Sequence, residues 1–260
     1  MDQKYPIMTH IDLTNKNILV TGASNGIGKA IAEYLIKMGA RVAIHYHSSQ
    51  ENAKQLENSC SHGSKTFQAD LSKESDVYDL FENVLTDFKT LDAIVLNAGV
   101  FLEHSTDLET SDWMSIWKKT LDINLNSVGL LTKLGIDHYK EINGGRFIYI
   151  GSRAVFRGET EEYLAYAASK GGLTSLARSV ARSFGKQNIK SFVVSPGFTR
   201  TQMAEQFIEA YGEERVLNEI SLNELTKPED LAPLVAMLCC GLMDHATGAT
   251  IDVNAGSHIR

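Results

Sequence analysis

Tyr166-Ala-Ala-Ser-Lys170 places a phenol and an ammonium group four residues apart, inside a stretch from Tyr163 to Phe184 whose periodicity predicts a long helix. That spacing puts both groups on one helix face. A phenol with an ordinary pKa of about 10 delivers a proton near neutral pH more readily if a nearby cation stabilises the phenolate left behind. Each unit of lowering is worth ~1.4 kcal/mol. Ser152 follows the predicted strand Arg146 to Ile150, at the strand end where parallel sheets place ligands, and its hydroxyl can hold a carbonyl oxygen. Taken singly, a Tyr-x-x-x-Lys pair is an ordinary surface pair and a serine after a strand an ordinary turn residue. Together they describe proton delivery to a carbonyl.

A second group lies near the start of the chain. The predicted strand Asn17 to Thr21 runs into Thr21-Gly22-Ala23-Ser24-Asn25-Gly26-Ile27-Gly28, and a helix opens at once, with Ile27, Ile31, Leu35 and Ile36 at helical spacing. Glycines let a backbone turn tightly and approach a pyrophosphate, whose charge is favoured by N–H groups at a helix N-terminus. The bland alternative is a glycine-rich strand-to-helix turn that binds nothing. The spacing, Gly22-x-x-x-Gly26-x-Gly28, departs from the common G-x-G-x-x-G fingerprint.

These groups need a scaffold, and the chain alternates short β-branched runs with amphipathic ones. Further strands are predicted at Arg41 to Tyr46, Lys65 to Ala69, Leu91 to Leu96, Ile189 to Val194 and Ala249 to Val253. Helices are predicted near Gln50 to Asn58, Lys73 to Phe88 and Ser111 to Glu141. Repeated strand, helix, strand order demands an α/β fold: a doubly wound parallel sheet of about seven strands with helices on both faces. The 260 residues contain neither an internal repeat nor a Pro/Ser-rich linker, so one Rossmann-type domain is expected over 1–260.

The glycine spacing resembles the Thr-Gly-x-x-x-Gly-x-Gly signature of the short-chain dehydrogenase/reductase family, and the resemblance covers roughly Lys16 to Gly256. Asp70-Leu71 follows the third strand, where the family contacts adenine, and Asn97-Ala98-Gly99 follows the fourth and matches its Asn-Ala-Gly element. Pro196-Gly197 follows the sixth, and Thr201 matches its threonine near the nicotinamide. The resemblance implies a catalytic set of Asn124, Ser152, Tyr166 and Lys170. Tyr166 would be the general acid/base and Ser152 would orient the carbonyl. Lys170 would lower the tyrosine pKa and bind the nicotinamide ribose, and Asn124 would support a proton relay through water. The overall pattern is most similar to 3-oxoacyl-carrier-protein reductase-like and glucose dehydrogenase-like members. Ser152 and Tyr166 stand fourteen positions apart, one more than in many members, which places an extra residue in the Gly158 to Glu162 loop.

Family members that use NAD usually carry an acid after the second strand, which holds the adenine ribose and repels a 2′-phosphate. Here that strand ends His45-Tyr46-His47-Ser48-Ser49, with Tyr46 at the expected acid position. Ser24, His47, Ser48 and Ser49 can donate to a phosphate, so NADP(H) is favoured, although Asn25 stands where many NADP-preferring members have Arg or Lys. The segment 198–226 reads as helical and polar, with Met203, Phe207, Ile208, Tyr211, Val216 and Leu217 as a possible apolar face, and the family resemblance implies that it is a substrate-covering lid, which would exclude water. Arg153, Phe156, Arg157 and Arg200 are candidates to meet an anionic or extended substrate. Small residues on the long helix, Ala168, Gly172, Ser175 and Ser179, would let another helix approach closely, and the family resemblance implies a homo-oligomer, expected here to be a homotetramer.

Composition narrows the classes. The formal net charge is −7, with 25 Lys and Arg against 32 Asp and Glu, and no basic stripe suits a phosphodiester backbone, so nucleic acid is not the expected partner. Cys60, Cys239 and Cys240 give neither a disulfide framework nor spaced metal ligands, which fits a reducing cytoplasm. The apolar stretch Ala232 to Met243 is too short to span a bilayer and contains Pro233, and Met1 to His10 lacks the apolar core of a signal peptide. The expected function is hydride transfer between NADP(H) and a small carbonyl or secondary alcohol. The alternative is a non-catalytic protein that keeps the fold to sense the dinucleotide.

Overall fold

The computed structural model describes residues 11–60, 63–201, 208 and 212–259. Strands β1 (Asn17–Val20), β2 (Arg41–Tyr46), β3 (Lys65–Gln68), β4 (Ala93–Leu96), β5 (Gly145–Ile150), β6 (Ile189–Pro196) and β7 (Thr250–Val253) form one sheet in the order β3-β2-β1-β4-β5-β6-β7. All neighbours are parallel, from Ile18 opposite Val42 and Ala93 to Val193 opposite Thr250. Parallel neighbours cannot be joined by tight turns, so the chain crosses a face of the sheet between them, mostly through helices. These are α1 (Gly26–Lys37), α2 (Gln50–Asn58), α3 (Glu74–Phe88), α4 (Thr110–Leu121), α5 (Ser127–Glu141), α6 (Ala154–Arg157), α7 (Leu164–Phe184), α8 (Glu213–Leu217) and α9 (Pro228–Cys240).

The two faces separate by strand periodicity. Ile18 and Val20 of β1 pack with Ile31 and Leu35 of α1 and with Leu231 and Val235 of α9. Leu19 between them faces the opposite layer, with Leu80 of α3, Leu131 of α5 and Leu173 of α7. Every residue of β4 is buried, as befits a central strand covered on both sides. From β1 the chain proceeds to β2 on one side, while β4 pairs on the other, so the carboxyl ends of β1 and β4 flank the crevice where open parallel sheets bind ligands.

Outside the expected lid at 198–226, the predicted strands and helices are present, with ends shifted by two residues or fewer, except over 111–141. There the helical run is divided into α4 and α5 by a π-helical turn, Asp122–Asn126. Helix α9 was legible only as an apolar run. Its start is marked by Pro228 in the first turn and by Asp230 Oδ2 accepting from the Lys227 N–H at 2.7 Å, and its end by Gly241 at φ +93°.

Of the expected helical lid, Met203, Phe207 and Tyr211 lie outside the described residues. Val216 is buried, Ile208 and Leu217 are half-buried, and α8 is a single short turn of helix. From Asn218 onward the chain turns and bends rather than continuing as helix, until Thr226 bridges to Thr199. No described helix is long and apolar enough to cross a membrane.

Candidate active site

The glycine turn is clamped by both neighbouring strands. Thr21 Oγ1 accepts the N–H groups of Asn97 and Ala98 at 2.9 and 3.0 Å, and Asn97 Nδ2 donates to the carbonyls of Thr21 and Gly22. Gly22 takes φ +65°, a region side chains disfavour. A Cβ on Gly28 would stand 2.2 Å from the Gly22 oxygen and 2.3 Å from Asn97 Nδ2, so only glycine permits this approach. Ile27 packs against the core beneath.

From the β2 side, buried His45 accepts the Gly22 N–H on Nδ1 at 3.0 Å, while its Nε2 lies 3.2 Å from the Ala69 oxygen. An amide N–H can only donate and a carbonyl can only accept, so the ring is neutral with its proton on Nε2. Burial lowers its pKa to about 4. The sequence marked His45 only as a strand-end residue, yet it is the internal post of the turn.

The N-terminus of α1 suits an anion. Asn25 makes no side-chain capping bond to the helix, and the first turn holds no acidic residue. Asn25 instead donates to Ser24 Oγ at 3.3 Å and Ser49 Oγ at 2.9 Å, and accepts from Asn52 Nδ2 at 2.7 Å. A cleft of about 320 Å³ runs from Gly26 along the side of α1 past Lys29, Ala30 and Glu33, bounded across by Arg200, Thr201, Pro228 and Glu229; its two carboxylates set it apart from the anion position itself. The uncapped N–H groups and the close-packed glycines fit a dinucleotide pyrophosphate.

At the adenosine end, the Tyr46 ring is buried in the apolar cluster with Ala53 and Leu56, which withdraws it from the surface that an acid there would serve. Exposed His47 and Ser48 remain, beside Ser24, Asn25, Ser49 and Asn52. The Asp70 carboxylate accepts from Ser72 N and Oγ and pairs with Lys73 at 3.3 Å; the Ser72 bonds lead in lowering its pKa to about 2. Leu71 is buried. Asn52 was not marked in the sequence, and nothing about an asparagine early in a polar helix distinguishes it there.

Tyr166, Ser152, Lys170 and Asn124 converge across the carboxyl ends of β4 and β5. Ser152 Oγ accepts the Ala154 N–H at 3.1 Å, and burial holds the Tyr166 phenol above its ordinary pKa, with Ser152 acting in the opposite sense. Lys170, 4% exposed, donates to the Ile150 carbonyl at 2.8 Å and lies 5.8 Å from the Tyr166 ring centre. Desolvation lowers its pKa to about 8. The ammonium therefore leans on the end of β5 rather than on the phenol, and the expected lowering of the tyrosine pKa is not the direction this geometry produces.

The Asn124 side chain accepts from Val100 N at 2.8 Å and donates to Val100 O at 2.9 Å and Ser169 Oγ at 3.2 Å. Ser169 in turn donates to the Tyr166 carbonyl. Asn124 thus ties the chain after β4 to the helix that carries Tyr166. Gly99 lies against both, since a Cβ there would be 3.3 Å from Asn124 Oδ1 and 3.5 Å from Lys170 Nζ. π-Helical turns are rare and recur at functional sites, and here one holds Asn124. Phe101 was missed by sequence reasoning; its ring stacks on Tyr163 at 3.8 Å and meets Tyr166 edge-on at 4.7 Å.

The far wall is the end of β6. The Pro196 carbonyl accepts the Arg153 N–H at 3.1 Å, the Gly197 N–H donates to Val253, and Thr201 sits over Gly26. Arg200 pairs with Glu213 of α8. Of the remaining loop candidates, Phe156 stacks on His258 at 6.0 Å, and Arg153 and Arg157 both bond to Glu219.

A parallel α/β sheet with a glycine turn at its switch point and a Ser, Tyr, Lys and Asn set beside it defines a nicotinamide-dependent oxidoreductase scaffold, and the chain belongs to the short-chain dehydrogenase/reductase family. The family profile described as enoyl-(acyl carrier protein) reductase matches residues 22–258. Glucose 1-dehydrogenase 2 of Bacillus subtilis is 31% identical over 255 residues, covering 94% of this chain and 95% of that protein. The 3-oxoacyl-[acyl-carrier-protein] reductase FabG of Rickettsia prowazekii is 32% identical over 252 residues, covering 95% and 98%. A short chain dehydrogenase from Burkholderia cenocepacia, solved in complex with NADP, superposes with a TM-score of 0.85 at 30% identity, covering 94% of this chain and 98% of that one.

Proposed function

We propose that the protein transfers a hydride between NADP(H) and a small carbonyl or secondary alcohol, with Tyr166 as the general acid/base. The observation that carries this reading is the placement of Tyr166 and Lys170 one turn apart on α7, with the Lys170 ammonium donating to the Ile150 carbonyl at the end of β5, two residues before Ser152. Bound nicotinamide supplies the hydride. The Ser152 hydroxyl donates to the carbonyl oxygen and holds it against the phenol. Tyr166 delivers its proton to that oxygen as negative charge develops there, and takes one back in the oxidative direction. The Lys170 ammonium favours the phenolate that remains and reaches the cofactor ribose. Asn124 acts first by positioning, because its amide holds Val100 on one side and the Tyr166 helix on the other.

Gly22, Gly26, Ile27 and Gly28 would receive the pyrophosphate, Asn97, Ala98 and Gly99 the nicotinamide side, Asp70 and Leu71 the adenine, and Pro196, Gly197 and Thr201 the carboxamide end. NADP(H) preference is supported by the neutral donors Ser24, Asn25, Ser48, Ser49 and Asn52 around the β2 end; among the described residues no carboxylate hydrogen-bonds with Asn25, although Asp70 stands 4.0 Å from His47. Tyr46 supports it only by filling the acid's position with a buried ring. Relatives at 31% and 32% identity are named for glucose and for 3-oxoacyl groups, so the supported class is a carbonyl or secondary alcohol.

Fluorescence titration tests the cofactor assignment, with NADPH expected to bind more tightly than NADH; equal or reversed affinities defeat it. Tyr166→Phe should keep NADPH binding and lower kcat by about 100- to 10,000-fold, the range of general acid–base catalysis. A wild-type protein that binds NADPH and turns over no carbonyl supports the sensing role instead.

A further inference from the structure

The residue after Ser152 carries a charge that the reaction does not require. Arg153 is 7% exposed, and its Nη2 donates to Glu219 Oε2 at 3.3 Å, while its Nη1 is buried with no hydrogen-bond partner among the described residues. Arg157 of α6 converges on the same oxygen, its Nη1 2.7 Å from Glu219 Oε2. Glu159, half-buried in the loop that holds the extra residue before Tyr166, interacts electrostatically with both guanidinium groups. Arg153 directly follows Ser152, so the cluster borders the residue proposed to hold the carbonyl.

We infer that Arg153 and Arg157 form a recognition site for a carboxylate carried by the substrate, which makes the substrate an oxo acid or the matching hydroxy acid; this rests on the hydride-transfer reading above. Two guanidinium groups meeting at one carboxylate oxygen is the geometry of carboxylate binding, and Glu219 occupies it from within the chain. The two sides differ in mobility. Arg153 is held under the loop, whereas the Glu219 side chain is 45% exposed and follows α8 in a turn, so it can leave to solvent. A buried charged donor without an acceptor is expensive and uncommon, and a strap built only to anchor Glu219 has no need of one. Glu159 and Glu219 balance the two arginines, so the site suits a monoanion better than a phosphate dianion. The carboxylate takes no part in bond making; it fixes the distance between its carbon and the carbonyl presented to Ser152 and Tyr166.

The test uses the full-length enzyme with NADPH and a series of 2-, 3-, 4- and 5-oxo carboxylates, each compared with its methyl ester by kcat/KM. One acid should exceed its ester by about ten- to a hundredfold, the effect of a charge-assisted bond in a partly buried site. Arg157→Ala and Arg153→Met should each collapse that ratio towards one. Glu219→Gln, which removes the internal competitor, should raise it several-fold, a gain that damage to folding does not produce. Calorimetric titration of the NADP⁺-loaded enzyme with 4-oxopentanoate reads the same site without turnover. Ester reduction with no acid preference, or a preference indifferent to Arg157→Ala and Glu219→Gln, overturns the carboxylate site and leaves the reductase reading standing. Binding of 4-oxopentanoate that weakens in Arg157→Ala, with no carbonyl reduced, keeps the site and removes the reductase reading. Neither binding nor turnover removes both.

Discussion

Lys170 is the residue whose ionisation limits the site first. Its pKa is lowered by burial to about 8, while burial raises that of the Tyr166 phenol, so rising pH discharges the ammonium before it strips the tyrosine. In the proposed reaction the charged form of Lys170 is the one that would reach the cofactor ribose and favour a phenolate. On this reading, activity should be lost as pH rises through about 8. The value of kcat/KM for NADPH reports the free enzyme and should fall on the alkaline side with a midpoint near pH 8. Lys170→Met should lower it by about 100-fold and flatten that limb. A limb that stays near 8 in Lys170→Met assigns it to another group. The spacing of Tyr166 and Lys170 was legible because two side chains four residues apart on a helix must share a face. The direction of the tyrosine shift was not, because it depends on how deeply the phenol is set and on which carbonyl Lys170 chooses.

Among the elements, His45 shows what sequence could and could not reveal. Strand β2 was readable from Arg41 to Tyr46 because its residues are β-branched or apolar at the sheet period. That its histidine would point into the glycine turn and bond Gly22 and Ala69 depends on the strand's rotation against β1 and β3, which no local pattern encodes. The same applies to Tyr46, which occupies the right position but faces the core, and to the π-helical turn around Asn124, which reads as plain helix. Helix α9 was missed for the opposite reason, since Pro228, Asp230 and Gly241 are orthodox end signals overshadowed by the apolar run between them.

The buried neutral state of His45 has a pH signature. Its folded pKa, about 4, lies below the unfolded value of about 6.5, so the unfolded chain binds more protons between these values. The stability is fully present above pH 6.5 and is lost as pH falls towards 4. From pH 7 to pH 5 the loss through His45 should be about 2 kcal/mol. His138, also lowered by burial, contributes with the same sign, so the quantity to read is a difference. Urea unfolding at the two pH values should show a smaller loss for His45→Asn, whose amide oxygen can still accept the Gly22 N–H. Equal losses in both proteins remove His45 as the acid-sensitive post.

At the scale of the whole molecule, two helices are incompletely covered by the described residues of the chain. In α4 only Thr120 is buried, although Trp113, Met114, Ile116 and Trp117 recur on it, half-buried, with the two indoles stacked at 5.1 Å. Packed beside it, α7 leaves Leu164, Ala168, Ser175 and Ser179 exposed. Gly172, which belongs to the same strip of small residues, is already half covered by Leu125, within 2.9 Å of where a Cβ would stand, so the strip serves the chain's own packing at that point. The remainder offers small side chains flanked by apolar ones, which favours close approach of a helix from another copy. Because α7 also carries Tyr166 and Lys170, an interface there would brace the reacting helix from outside while Asn124 and Ser169 brace it from within. The expected assembly is a homotetramer, and light scattering at micromolar concentration should return four chain masses. Ser175→Arg, which places a long charged side chain where the helices would meet, should lower that mass and reduce kcat through a looser α7. A wild-type monomer contradicts the assembly, and a tetramer untouched by Ser175→Arg moves the interface away from α7.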